Sequence, residues 1–168
     1  MYWTAQKAVS ALARWMAIAG GVMLFAVIGL TVVSVTGRAL DGIGLGPVPG
    51  DIEMVEIGIG FAVFTTLPYA QFTRAHARVD VFRRLYGDFG NRLLDVIANL
   101  LMAVFAGLVL WRLWLGMLDK AAYGETTFIL QIPLVWGYRG AALACVVGMI
   151  VALFCVWRAT RRLIGQEA

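Results

Sequence analysis

Few residues in this chain have the chemistry to do more than pack. The only histidine, His76, lies in the stretch QFTRAHARVDVF, residues 71–82, among Arg74, Arg78 and Asp80. Glu53 and Glu56 stand three residues apart, and Cys145 and Cys155 stand ten apart. A metal centre needs three or four converging ligands, and one histidine with no cysteine nearby does not supply them. A bis-histidine haem is excluded within one chain for the same reason. Ten residues of helix rise about 15 Å, too far for a disulfide within it, so the cysteines read as buried, inert thiols. No catalytic, cofactor-binding or metal-ligating residue is therefore expected, and His76 reads as a solvated or partner-facing loop residue. If its stretch is helical, His76 and Asp80 share a face and can pair. Glu53 and Glu56 likewise share a helix face. They are either proton or substrate carboxylates, or acids at a helix N-terminus reached by Arg38 or by a base on a partner. The second reading asks less of them and is preferred.

The elements that must position these residues are more apolar than water allows. Of 168 residues, 61% are hydrophobic, and the mean hydropathy is +0.83, whereas soluble domains run nearer half. The net charge of +4 and pI near 9.4 do not point to nucleic acid, because the basic residues flank apolar runs, as in membrane proteins; lipid is the expected partner instead. Charge-free runs cover residues 15–37, 57–73, 96–111 and 140–157. About 20 apolar residues cross a bilayer as a helix, and barrel strands would need shorter alternating segments in a closed set. The expected fold is an all-α integral membrane protein, with residues 1–168 as one four-helix domain and spans near 14–37, 52–73, 93–115 and 136–158. The third run is short and borrows Leu93 and Leu94, which puts Asp95 near an interface. The first is too long for a signal-peptide core and reads as a retained span.

Orientation follows from arginine and lysine. Lys7, Arg14, Arg74, Arg78, Arg83, Arg84, Arg92, Arg158, Arg161 and Arg162 fall on one side, and only Arg38, Arg112, Lys120 and Arg139 on the other. The positive-inside rule then places both termini and the His76 stretch in the cytoplasm. Residues 39–50 read as a Gly- and Pro-rich outer loop. From Val79 to Arg92, apolar and charged residues mix at helical spacing, which predicts an interfacial helix loosened by Gly87 and Gly90. Trp136 and Tyr138 suit the outer interface. Gly140, Ala144, Gly148 and Ala152 form a small-residue stripe that permits close helix approach, and Ala13, Ala17 and Gly21 form another. Pro68 is expected to kink the second span, with the hydroxyls of Thr65 and Thr66 satisfying the freed backbone. No span carries a central acid, a histidine relay or paired broken helices, so the chain reads as a scaffold and not an enzyme.

Taken in order, these features resemble one family. They are Ser34-Val35 with Gly37-Arg38 at the end of the first span, Glu53 and Glu56 after the Pro-rich loop, Leu67-Pro68-Tyr69-Ala70, His76 with Val79 and Asp80, and Ile132-Pro133 with Trp136 and Tyr138. Together, over roughly residues 25–145, they are similar to the small membrane subunit (Q or DctQ-type) of tripartite ATP-independent periplasmic (TRAP) transporters. Ser34 and Ala39 depart from that pattern. The resemblance implies a bacterial inner-membrane scaffold without a cofactor. Its partners would be a large multi-span subunit that holds the substrate and sodium sites and moves elevator-fashion, and a periplasmic binding protein delivering an organic acid. Arg38, Glu53, Glu56, His76, Asp80, Trp136, Tyr138, Gly140, Ala144 and Gly148 are then candidate structural or partner-interface residues. Because a short loop separates Arg38 from Glu53 and Glu56, an ion-pair seam is expected at the outer rim, either among these three or toward a partner. Two rival readings lack their residues. A four-span multidrug exporter needs a membrane-centre acid in an early span, and an anchor subunit of a redox complex needs paired cysteines, or more histidines unless a partner supplies them.

Overall fold

An apolar backbone can satisfy its own N–H and C=O groups away from water only as a helix or a closed barrel. In a computed structural model, which describes residues 2–75 and 87–165, this chain takes the helical solution. Helix α1 runs Tyr2–Ala39, α2 Asp51–Thr73, α3 Gly87–Tyr123 and α4 Leu134–Leu163, with one 3-10 turn at Asp41–Ile43. All four are long and apolar enough to cross a membrane. Among the described residues there is no strand, only an isolated bridge between Thr126 and Pro133.

Two boundaries differ from expectation. Helix α1 begins well before position 14 and carries Lys7 and Arg14 within it. Residues 87–92, expected to close an interfacial helix, are instead the opening turns of α3, and Gly90 sits inside that helix. The rest of that expected helix, Val79–Tyr86, lies outside the described residues, as do His76 and Asp80. Helix α2 ends at Arg74, whose left-handed φ of 57° lets its N–H reach the carbonyls of Ala70 and Gln71. That is the terminating geometry glycine usually provides.

The helices form a row, not a closed bundle. Helix α1 packs on α2 and, around Ala13, also reaches Val151 and Cys155 of α4; α2 packs on α4, and α4 on α3. Among the described residues no Cα of α3 comes within 8 Å of α1 or α2. The spatial order is thus α1–α2–α4–α3, with α1 and α3 largely exposed at the ends and α4 most buried.

Small residues make the close contacts. The buried positions of α1 are Ala13, Gly20, Val27 and Ser34, each seven residues after the last. A seven-residue repeat keeps one seam on a neighbour as two helices wrap gently. A Cβ on Gly20 would stand 2.5 Å from Thr65 Oγ1 and 3.1 Å from the Ala62 carbonyl oxygen; one on Gly58 would stand 2.5 Å from Val27 Cγ2. The expected stripe of Ala13, Ala17 and Gly21 is therefore corrected. Only Ala13 of the three is buried, and Gly21 faces open space. Positions four apart climb around the helix at an angle to its axis and leave a nearly parallel seam. The α4 stripe does pack: Ala144 and Ala152 are buried, and Cβ atoms on Gly140 and Gly148 would lie 3.4 Å from Phe61 and 3.6 Å from Pro68 of α2.

Helix α2 runs unbroken through Pro68. The Thr65 and Thr66 hydroxyls donate to the carbonyls of Phe61, Ala62 and Val63. None reaches Phe64, whose carbonyl is the one that proline leaves without its N–H.

The two neighbouring glycines of α1 offer a matched test. Gly20→Val should destabilise the protein by about 1–3 kcal/mol through overpacking, whereas Gly21→Val should leave stability nearly unchanged. Thermal melts in detergent followed by circular dichroism will check this; equal melting temperatures for the two variants would contradict the α1–α2 contact.

Candidate functional site

The polar side chains gather at the two ends of the helices. At the end where α1 meets α2, the buried Ser34 hydroxyl donates to the Asp51 carboxylate and accepts the Val48 N–H at 3.2 Å. This closes the loop of residues 40–50. Gly50 ends that loop at φ +74°, and a Cβ there would collide with the Leu130 side chain at 2.4 Å. The loop between α3 and α4 thus sits directly on the turn between α1 and α2.

Glu53 fastens that contact. Its carboxylate accepts the Ile129 N–H at 2.6 Å and the Leu130 N–H at 3.0 Å. The loop is stiff in its own right. Thr127 N–H donates to the Ile132 carbonyl at 2.9 Å, Ile132 N–H to the Thr127 hydroxyl at 3.1 Å, and Leu134 N–H to the Glu125 carbonyl at 3.0 Å. Lys120 pairs with Glu125 at 2.5 Å. Its tip presents Phe128, 95% exposed, and Ile129. Glu53 therefore points at loop backbone and not at Arg38, which forms no ion pair among the described residues. Glu56 is exposed and lines a concavity with Glu53, Phe61, Thr127 and Tyr138. Trp136 is exposed beneath the Arg139 guanidinium, 5.1 Å from its ring centre, and Tyr138 packs on Gly116. Gly140, Ala144 and Gly148 are spent on the α2–α4 contact.

At the opposite end, side chains bridge α2 and α3 where their backbones stay apart. Arg74 pairs with Asp95 at 2.8 Å, and Gln71 Nε2 donates to Asn99 Oδ1 at 3.1 Å. Asn99 Nδ2 in turn donates to the Asp95 carbonyl at 2.7 Å. Arg158 of α4 is buried, donates to the Phe72 carbonyl at 3.0 Å and covers the Phe72 ring at 5.0 Å. It satisfies one of the carbonyls that the last turn of a helix leaves open, where a cation is also favoured by the dipole.

The sequence marks Arg74 and Arg158 only as orienting charges and Ser34 only as a departure from a family pattern. Gln71 and Asn99 go unremarked there, although an uncharged amide inside an apolar run is itself a signal that a partner is needed. Nothing in the spacing says which partner. The arrangement binds and braces: most of these polar groups tie one element to another, and Arg38, Glu56 and Trp136 remain open at the rim.

A family model described as tripartite ATP-independent periplasmic transporters, DctQ component, matches residues 27–164. No curated protein and no solved structure gives a significant match.

Glu53→Ala should release the loop tip. Amide hydrogen exchange at Ile129 and Leu130 should accelerate severalfold, while exchange at Val48, held by Ser34 on the other side of the rim, stays as it was. Unchanged protection at Ile129 and Leu130 would show that the carboxylate does not hold the loop.

Proposed function

The chain belongs to the DctQ component family of the tripartite ATP-independent periplasmic transporters, and from that membership we propose that it is the small scaffold subunit of such a transporter in a bacterial inner membrane. The observation that carries this assignment is where its polar groups go. Asp51, Glu53, Gln71, Asp95, Asn99 and Arg158 are each engaged in tying elements of this chain together. A transport site would leave such groups facing a water-filled path near the bilayer midplane. A set of tied helices suits a brace, because it offers a partner a broad, rigid face.

In this proposal the partner is a large multi-span subunit holding the substrate and sodium sites, which moves elevator-fashion against the brace. A periplasmic binding protein brings the substrate, an organic acid, to the outer rim, where Arg38, Glu56 and Trp136 are available. The loop containing His76 and Asp80 is the proposed cytoplasmic contact with the large subunit.

Two expected outcomes test this. The purified chain in liposomes should take up no organic acid under sodium or proton gradients, and uptake should appear only with the large subunit and binding protein present. Saturable uptake by the chain alone would refute the scaffold role. Reporters active only in the cytoplasm should give signal when fused at Gly87 and after Ala168, as the partition of basic residues requires. Signal at those sites from a periplasm-only reporter would invert the topology.

A further inference from the structure

The row of helices leaves a groove between α2 and α3, floored by α4. Leu67 and Pro68 form one wall, Met102 and Phe105 the other, and Gly148 and Ala152 lie beneath. Its volume is about 290 Å³, roughly ten times the share of liquid volume held by one water. The deep end stops at Gln71, whose amide is already held by Asn99. A buried water needs two to four polar partners, and these walls offer none. The groove is therefore a place for hydrocarbon.

Its other end is different in kind. Past Phe64, Phe105 and Val109, which line both hollows, the groove opens into a shallower concavity that reaches Arg112, Asp119 and Tyr138. Arg112 is exposed and makes no hydrogen bond or ion pair within the chain among the described residues. Trp111 and Trp114 flank it, both more than half exposed, and exposed tryptophans mark the head-group level of a bilayer. From Asn99 to Arg112 the helix rises about 20 Å, against about 15 Å for the hydrocarbon of one leaflet. The apolar trench thus runs somewhat further than one leaflet and ends beside an exposed guanidinium flanked by tryptophans.

We propose that this groove is a specific site for one phospholipid, with an acyl chain between α2 and α3 and the phosphate on Arg112. Asp119 stands about two turns further out on the same helix and lines the same hollow. A carboxylate there repels a purely anionic head and favours one carrying a primary amine beyond its phosphate. A phosphoethanolamine head presents both charges in the required order.

The test uses the full chain, in native membranes and after purification. Phosphatidylethanolamine with a photoreactive group in mid-chain should label the peptide containing Met102, Phe105 and Val109 in both settings. By native mass spectrometry the purified protein should retain one phosphatidylethanolamine in preference to phosphatidylglycerol. Retention should fall about tenfold in Arg112→Gln, the loss expected for one charge-assisted hydrogen bond to phosphate. Ala106→Trp, which fills the groove, should abolish both retention and labelling; melting temperature reports whether that variant is folded, and the labelling of unmodified protein stands without it. Labelling spread evenly over the exposed helix faces would mean bulk lipid and overturn the site. So would labelling of the purified chain that vanishes in native membranes, which would mean that a protein segment fills the groove there. Preference for phosphatidylglycerol, or equal retention by Arg112→Gln, would overturn the head-group assignment.

Discussion

Inside a bilayer, helices gain nothing by hiding from lipid, because acyl chains are as apolar as leucine. What holds such helices together is close backbone approach and the satisfaction of polar groups that have no water to turn to. Many of the contacts among the described residues are one or the other, with apolar packing such as that of Phe72 on Phe154 added to them. Gly20 and Gly58 bring α1 and α2 together where larger residues would collide, and the α4 stripe does the same against α2. Where backbones cannot meet, as between α2 and α3, two side-chain pairs span the gap.

The ties lie at the ends because burial of a polar group costs least there and partners are found most easily. A buried neutral hydrogen bond such as Gln71–Asn99 contributes about 0.6 kcal/mol on average in a membrane. Its larger effect is geometric, since either amide left alone in that setting would cost about 1–3 kcal/mol. Arg158 follows the same logic with a charge: it donates to the open Phe72 carbonyl at the end of α2 and covers the Phe72 ring, so the guanidinium is both hydrogen-bonded and held over an aromatic face. The product is a chain whose polar residues are mostly committed to its own architecture. That condition suits the scaffold role proposed above.

Four membrane-length helices were legible in the sequence, because a long charge-free run bounded by charged residues has one physical interpretation in lipid. Family membership was legible too, from the order of short motifs around those runs. Helix ends were less so: α1 and α3 extend well past their apolar cores, since helix propensity continues after hydrophobicity stops. The partners were hardest to see. Glu53 was expected near Arg38, its neighbour across a short loop, yet its carboxylate meets the backbone of residues 129 and 130. Backbone donors are invisible to residue types. The α1 seam was misread for another reason: small residues recur at both four and seven, and only the crossing geometry selects between them.

The order of the row, α1–α2–α4–α3, is not the order of synthesis. During biogenesis α2 and α3 are made before the helix that separates them, and α4, made after both, must take a middle place. Until it does, the carbonyl end of α2 lacks Arg158, the trench has no floor, and the turn at Gly50 has no loop to cover it. Completion of the polypeptide is therefore coupled to completion of the architecture.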